Sequence, residues 1–231
     1  ATLALSSLGG TSTENITANG AGVGGAGVIQ SIAGTNTISG NVAMTGNSTV
    51  GVSAGSLTLS GNVSGGYNFI KTGVGNLNLA GAANSYTGTT TLRDGTLTVA
   101  TNAPVAANGA LGNSGSSVQV GDASTGAAAN LSLLIGNPAG GVTVGRAISV
   151  NNFNTSGTTT LGGANTSGTN SFNGNIGLGK DVTLTAASGG TVSFAGELSG
   201  SGGVTMNGAG AVVLSLIHIS EPTRLRRNSY A

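Results

Sequence analysis

Ionisable side chains are so few in this sequence that each can be weighed for chemistry. Residues 1–213 hold the bases Lys71, Arg93, Arg146 and Lys180 and the acids Glu14, Asp94, Asp122, Asp181 and Glu197. Glycoside hydrolysis needs two carboxyl groups facing one sugar, and no spacing among these five acids signals such a pair. Arg93-Asp94 precedes Gly95, a turn pairing, and Lys180-Asp181 follows a glycine-rich break, so both read as polar corners. Asp122 and Asp181 stand singly, which gives no metal-ligand cluster. There is no Cys, and the one His is His218, which removes disulfides, thiol chemistry and thiolate metal sites. The expectation is no catalytic residue, no cofactor, no metal ion and no enzyme. Binding residues are not legible.

Three weaker motifs also fail on context. Gly20-Ala21-Gly22-Val23-Gly24-Gly25 satisfies GxGxxG, but a dinucleotide cradle needs a strand before it and a helix after it. The flanks here are Thr/Asn text and Val28-Ile29-Gln30. Sugar grooves usually carry exposed aromatics, for which Tyr67 and Tyr86 are the candidates. Six Asn-x-Ser/Thr triplets, at Asn15, Asn47, Asn62, Asn130, Asn154 and Asn165, are expected from composition alone.

Charge excludes further classes. The net charge is +1, yet Arg224, Arg226 and Arg227 lie in the last few residues and leave the body at −1. A near-neutral body has no basic patch for nucleic acid or anionic lipid. No run approaches the ~20 apolar residues of a membrane-spanning helix. Ala1 to Gly10 lacks a basic leader, so the start reads as a processed end or a fragment.

Residues 214–231, LSLIHISEPTRLRRNSYA, break with everything before them: glycine vanishes and arginine clusters. The string is similar to the in-frame translation of a transposase-based sequencing-library adapter, departing from it near Asn228. The expectation is a body, 1–213, and a non-native tail, 214–231, irregular or weakly helical from about Ser220. On that reading Ile217, Ile219 and Leu225 form no cap.

The elements that must position any site are strands. With 44 Gly, 3% aromatic and 6% charged residues, the chain lacks the Ala/Leu/Glu/Lys mixture of helices. It also lacks the charge of disordered chains. From Thr35 onward, short alternating runs such as Ser56-Leu57-Thr58-Leu59 and Thr96-Leu97-Thr98-Val99 are bounded by Gly and Asn, which is the strand signal. Sandwiches and barrels usually need more aromatics than this chain has. A solenoid fits, with a narrow aliphatic interior and Gly/Asn corners. The fold expected is all-β, a right-handed parallel β-helix, with residues 30–213 mostly strand. Val50, Leu57, Leu59, Leu77, Leu79, Leu97, Val99, Val142, Val144, Val182 and Leu184 point inward. At ~20 residues per coil the body makes about ten coils and a rod of about 50 Å. A gapless self-match at constant offset pairs Gly61 with Gly196, Gly73 with Gly208 and Leu77 with Val212.

Asn68 to Ala100 carries Lys71-Thr72-Gly73 with Gly75, alternating Leu77 and Leu79, then Asn84, Tyr86 and Gly88, then Asp94-Gly95 and Leu97. This segment resembles the autotransporter-associated β-strand repeat of Gram-negative surface proteins, with one extra Ala between Gly81 and Asn84. A partial second copy runs from Gly200 to Leu214, with Met206-Asn207 in place of Lys-Thr. The resemblance implies an exported, type V secreted passenger, a stalk or adhesin on the cell surface, attached to a C-terminal outer-membrane barrel that this sequence does not contain. It also makes Tyr86 a packing residue. Implied partners are host surface, matrix, glycan or sister cells. The alternative reading is a β-helix polysaccharide lyase or glycosidase, or another extracellular fibre protein.

Overall fold

The computed structural model describes residues 1–6 and 11–215. The expectations for residues 216–231, including His218 and the missing cap at Ile217, Ile219 and Leu225, lie outside the described residues. Leu214 and Ser215, counted with the tail, continue the last coil: Leu214 ends strand Ala211–Leu214, and Ser215 donates its N–H to the Phe194 carbonyl.

The described chain is a stack of parallel strands. Its one helical element is a 3-10 turn, Val23–Gly25. One sheet follows a path of nine rungs, among them Leu3–Ser6, Ile29–Ala33, Phe69–Thr72, Thr90–Leu92, Val118–Val120 and Leu198–Gly200. A second sheet also has nine, including Thr35–Ile38, Ser56–Leu59, Asn76–Leu79, Gly95–Val99, Leu131–Ile135 and Val182–Ala186. A third closes the coil in the C-terminal half with Thr143–Val144, Thr169–Phe172, Thr191–Phe194 and Ala211–Leu214. In the N-terminal half that third face is held by Ile16–Gly20, Val63–Ser64 and the start of the long strand Val42–Val52. This is a parallel β-helix.

Nine rungs at ~4.8 Å give a rod of about 40 Å. The ten equal coils expected are corrected because coil length varies. Corner partners lie 21 residues apart near the start, 28 in the middle and 22 near the end. Extra residues leave the rod as loops at corners, because a loop on the surface can hydrogen-bond water and a loop in the core cannot. Strands also begin earlier than expected, at Leu3.

Alternation sets the register. In the second sheet Leu57, Leu77, Leu97, Leu133, Leu161 and Leu184 stack in one inward column. All eleven residues expected to face inward are buried. A one-residue slip would turn the whole column outward, so burial locks the pairing. Larger rings fill two wider places. Phe69 stacks on Tyr86 at 5.5 Å, and Phe172 on Phe194 at 4.9 Å.

Corners are held by asparagine. The Asn15 Oδ1 accepts the Asn41 backbone N–H, Asn41 accepts from Asn62, and Asn62 accepts from Ala83. A second ladder runs Asn47 to Asn68 to Thr89. Each side chain satisfies a corner N–H of the next coil that the sheets cannot reach. Asn130 does the same for Thr158. Asn154 and Asn165 are buried, with their amides donating to carbonyls nearby. The six Asn-x-Ser/Thr triplets are thus rungs of the scaffold. We expect Asn62→Ala to cost about 1 kcal/mol, read as a lower thermal midpoint with faster amide exchange at Ala83.

The sequence self-match has a structural meaning that its glycines did not reveal. Phe69, in the first sheet, aligns with Val204 in the second, and Leu77, in the second, aligns with Val212 in the third. The two copies are out of phase by one face. A strand–corner unit fits any face of the coil, since each face offers the same aliphatic wall.

Candidate ligand-binding corner

The corner between the first and second sheets gathers charge. Of the nine charged side chains in residues 1–213, six stand there: Lys71, Arg93, Asp94, Asp122, Lys180 and Asp181. The others are Glu14, Glu197 and the buried Arg146.

Lys71 is the least expected of them. It pairs with Val50 on one side and Leu92 on the other, inside an otherwise aliphatic inward column. It is fully buried. Its Nζ reaches the corner and donates to the carbonyls of Thr72 (3.0 Å), Gly73 (2.5 Å) and Asp94 (2.9 Å). The ammonium has three protons, and three carbonyls take them. Burial drives its pKa down to about 8, against the opposing pull of Asp94. Gly73 and Gly95 make the tight corner possible: their φ angles are +79° and +69°, and a Cβ on either would come within 2.4 Å of the carbonyl oxygen of the coil below.

A family model, the passenger-associated-transport-repeat, matches residues 69–99. The chain carries an autotransporter-passenger repeat. The matched span takes in Lys71, Gly73, Asn84, Tyr86 and Asp94-Gly95, the residues on which the sequence resemblance stood. The repeat family implies secretion to, or display on, the Gram-negative cell surface. No match was found among curated proteins or among solved structures.

The passenger repeat is followed by two coils that swell at this same corner, through loops 121–130 and 151–158. The second loop stacks on the first. Ser156 and Gly157 donate backbone N–H groups to the Ala127 carbonyl, and the Asn154 Nδ2 donates to Ala129. Together they form a ridge with a cleft on either side.

The first cleft, about 670 Å³, is lined by Thr72, Val74, Arg93, Asp94, Ser124 and the Gly126 to Asn130 wall. Arg93 is bidentate to Asp122, with Nε at 2.8–3.0 Å and Nη2 at 2.8 Å. Asp122 therefore does not stand alone as expected; its partner is a cation, which makes it a loop brace. Its Oδ1 also accepts the Ser124 N–H. The second cleft, about 490 Å³, holds Lys180 and Asp181. Lys180 donates to the carbonyls of Asn154 (2.6 Å) and Gly157 (2.8 Å), tying the ridge down, and Asp181 accepts the Gly203 N–H. Desolvation by those neighbours lowers the Lys180 pKa, with Asp181 pulling the other way.

Arg93-Asp94 and Lys180-Asp181 are thus the polar corners that the sequence suggested. The structure joins Lys71 and Asp122 to the first. Tyr86 is fully buried, as the resemblance implied, and its hydroxyl shares a 2.8 Å hydrogen bond with Thr90. Tyr67 is exposed and lines neither cleft. The GxGxxG segment is an exposed turn: Gly20, Gly22, Gly24 and Gly25 all have positive φ, and strand Ile29–Ala33 follows where a cradle needs a helix. Neither cleft was signalled by a sequence motif. The one available cue was that insertions recur between strand pairs of the same two sheets.

Proposed function

We propose that this chain is a structural and adhesive segment of an autotransporter passenger, with no enzymatic site of its own, displayed outside the Gram-negative outer membrane. The observation that supports this is the ladder of parallel strands that stacks each described coil on the next, from Leu3–Ser6 to Ala211–Leu214. Such a rod resists bending and unzipping, which suits a stalk. Charged side chains inside the passenger repeat serve the ladder: Lys71 staples a corner and Asp94 caps Gly95. Only the ridge departs from that economy, and it is where adhesion would reside.

The test is display. Fused ahead of an outer-membrane barrel in a Gram-negative host, residues 1–231 should reach the surface, accept a membrane-impermeant label and yield a protease-resistant fragment spanning the ladder. Retention in the periplasm in unfolded form would remove the passenger assignment. Turnover of a polysaccharide panel, lost in Asp94→Asn or Asp122→Asn, would replace the stalk by an enzyme.

A further inference from the structure

The first cleft has more than a bracing role, because its floor keeps bonding capacity that the scaffold does not use. Arg93 commits Nε and Nη2 to Asp122, leaving Nη1 without a protein partner among the described residues. Asp94 uses Oδ1 for the Gly95 N–H and keeps Oδ2. Asn130 accepts twice at Oδ1 from Thr158 and keeps Nδ2. The Thr72 and Ser124 hydroxyls line the same space. The floor therefore offers two nitrogen donors, one carboxylate acceptor and two hydroxyls that serve either way. Lys71 and Arg93 balance Asp94 and Asp122, so the local charge sums to zero.

The walls differ from the floor. Val74 is 70% exposed, among the most exposed large apolar side chains of the described chain, and it faces a wall of Gly126, Ala127, Ala128 and Ala129. A ligand that fits must carry hydroxyls along one edge and C–H groups on a face, with no net charge. The volume lies within the ~300–1,000 Å³ of small-molecule sites. The lining itself holds one cation, Arg93, and one carboxylate, Asp94, so neither an acidic nor a basic ligand finds an uncompensated charge there.

We propose that the cleft bounded by Thr72, Val74, Arg93, Asp94, Ser124 and Ala127 is a binding site for a neutral glycan unit. Hydroxyls of the sugar bond Arg93 Nη1, Asp94 Oδ2 and Asn130 Nδ2, and its C–H face packs on Val74 and the alanine wall. This rests on the stalk-and-adhesin reading and deepens it. The ridge is the adhesive element, and the bidentate Arg93–Asp122 pair holds the cleft open by fixing loop 121–130.

The probe is a glycan array carrying neutral hexose and N-acetylhexosamine oligosaccharides beside uronate- and sialate-bearing ones, read with labelled full-length chain. Neutral glycans should bind, with little change at high salt, since no net charge drives the contact. Ala127→Trp fills the cleft without touching any latch and should weaken binding at least about tenfold. Asp94→Asn keeps the Gly95 bond, swaps an acceptor for a donor and should weaken binding about tenfold. Thr169→Trp, on the exposed side of the third sheet, should change nothing; unaltered melting of the variants shows that losses are losses of binding. Bacterial envelope polysaccharides and animal glycans occupy separate arms, and binding in either supports the site while telling its source. Absence of neutral-glycan binding, binding that survives Ala127→Trp, or salt-sensitive capture of acidic glycans alone would overturn it. Surface display does not depend on the cleft, so such a result leaves the passenger reading intact.

Discussion

Replacing Arg146 with methionine is expected to destabilise the rod by about 3 kcal/mol, lowering the melting midpoint by about 10 °C. Arg146 is almost fully buried, and among the described residues no carboxylate pairs with it. Its guanidinium instead bridges two backbone carbonyls of the long insertion 100–117, which joins strands Gly95–Val99 and Val118–Val120. Nη1 donates to Leu111 at 2.7 Å, and Nε and Nη2 both donate to Ser116. Burial pulls its pKa down, with Tyr86 pulling the other way. The energetic asymmetry makes the effect large: methionine fills the volume, but the Leu111 carbonyl would be left buried and unpaired, and the Ser116 carbonyl would lose both of its donors. Arg146→Lys should recover only part of the loss, because an ammonium lacks the planar fork that spans both carbonyls. Amide exchange separates local from global damage. Protection should fall first at Ala110 and Asn113, whose N–H groups bond Asn102 and Tyr86. An Arg146→Met variant that melts like the parent would show that the insertion holds itself in place.

Much of the fold was legible because a solenoid repeats one decision. Each coil needs an alternating strand and a corner, and the Leu57, Leu77, Leu97 column states the strand register three times over in plain text. The corners were legible as turns but not as ladders. An asparagine that bonds a backbone N–H one coil away looks in sequence like any loop asparagine, and its partner lies 21 residues distant. Coil count was misread for a related reason: insertions add residues without adding rungs, so dividing length by a fixed period overcounts.

The site was less legible than the scaffold. Lys71 was visible as a motif residue, but nothing in its neighbours says that it stands in a core column between Val50 and Leu92. A strand alternation of Phe69-Ile70-Lys71-Thr72 does place Lys71 on the same side as the buried Phe69. Read strictly, period two pointed Lys71 inward, and the usual preference of lysine for solvent argued against it. The Arg93–Asp122 pair crosses 29 residues of chain, including a whole insertion. A pair formed across coils of unequal length cannot be found by a fixed period.

The buried Lys71 and Tyr86 should give the rod an alkaline stability maximum near pH 10. Lys71 falls from 10.5 to about 8 through burial. Between those values the unfolded chain binds the proton and the folded chain does not, so stability rises with pH across the window. The gain is of the order of 3 kcal/mol when complete, following the size of the shift. Tyr86 moves the other way, from 10.0 to about 12, chiefly by burial, with its Thr90 hydrogen bond and Arg146 opposing. Between those values the folded chain holds the proton that the unfolded chain has lost, so stability falls as pH climbs. The two windows overlap only near pH 10 to 10.5, which sets the maximum. Denaturant midpoints measured from pH 7 to 11.5 should rise, then drop. Lys71→Met should flatten the rise and spare the drop. Tyr86→Phe should do the reverse, while losing the bond to Thr90 at all pH values. A midpoint that declines steadily from pH 8, or a rise undiminished in Lys71→Met beyond the smaller part that Lys180 supplies, would mean that the ammonium of Lys71 is not held in the core column where its strand register puts it.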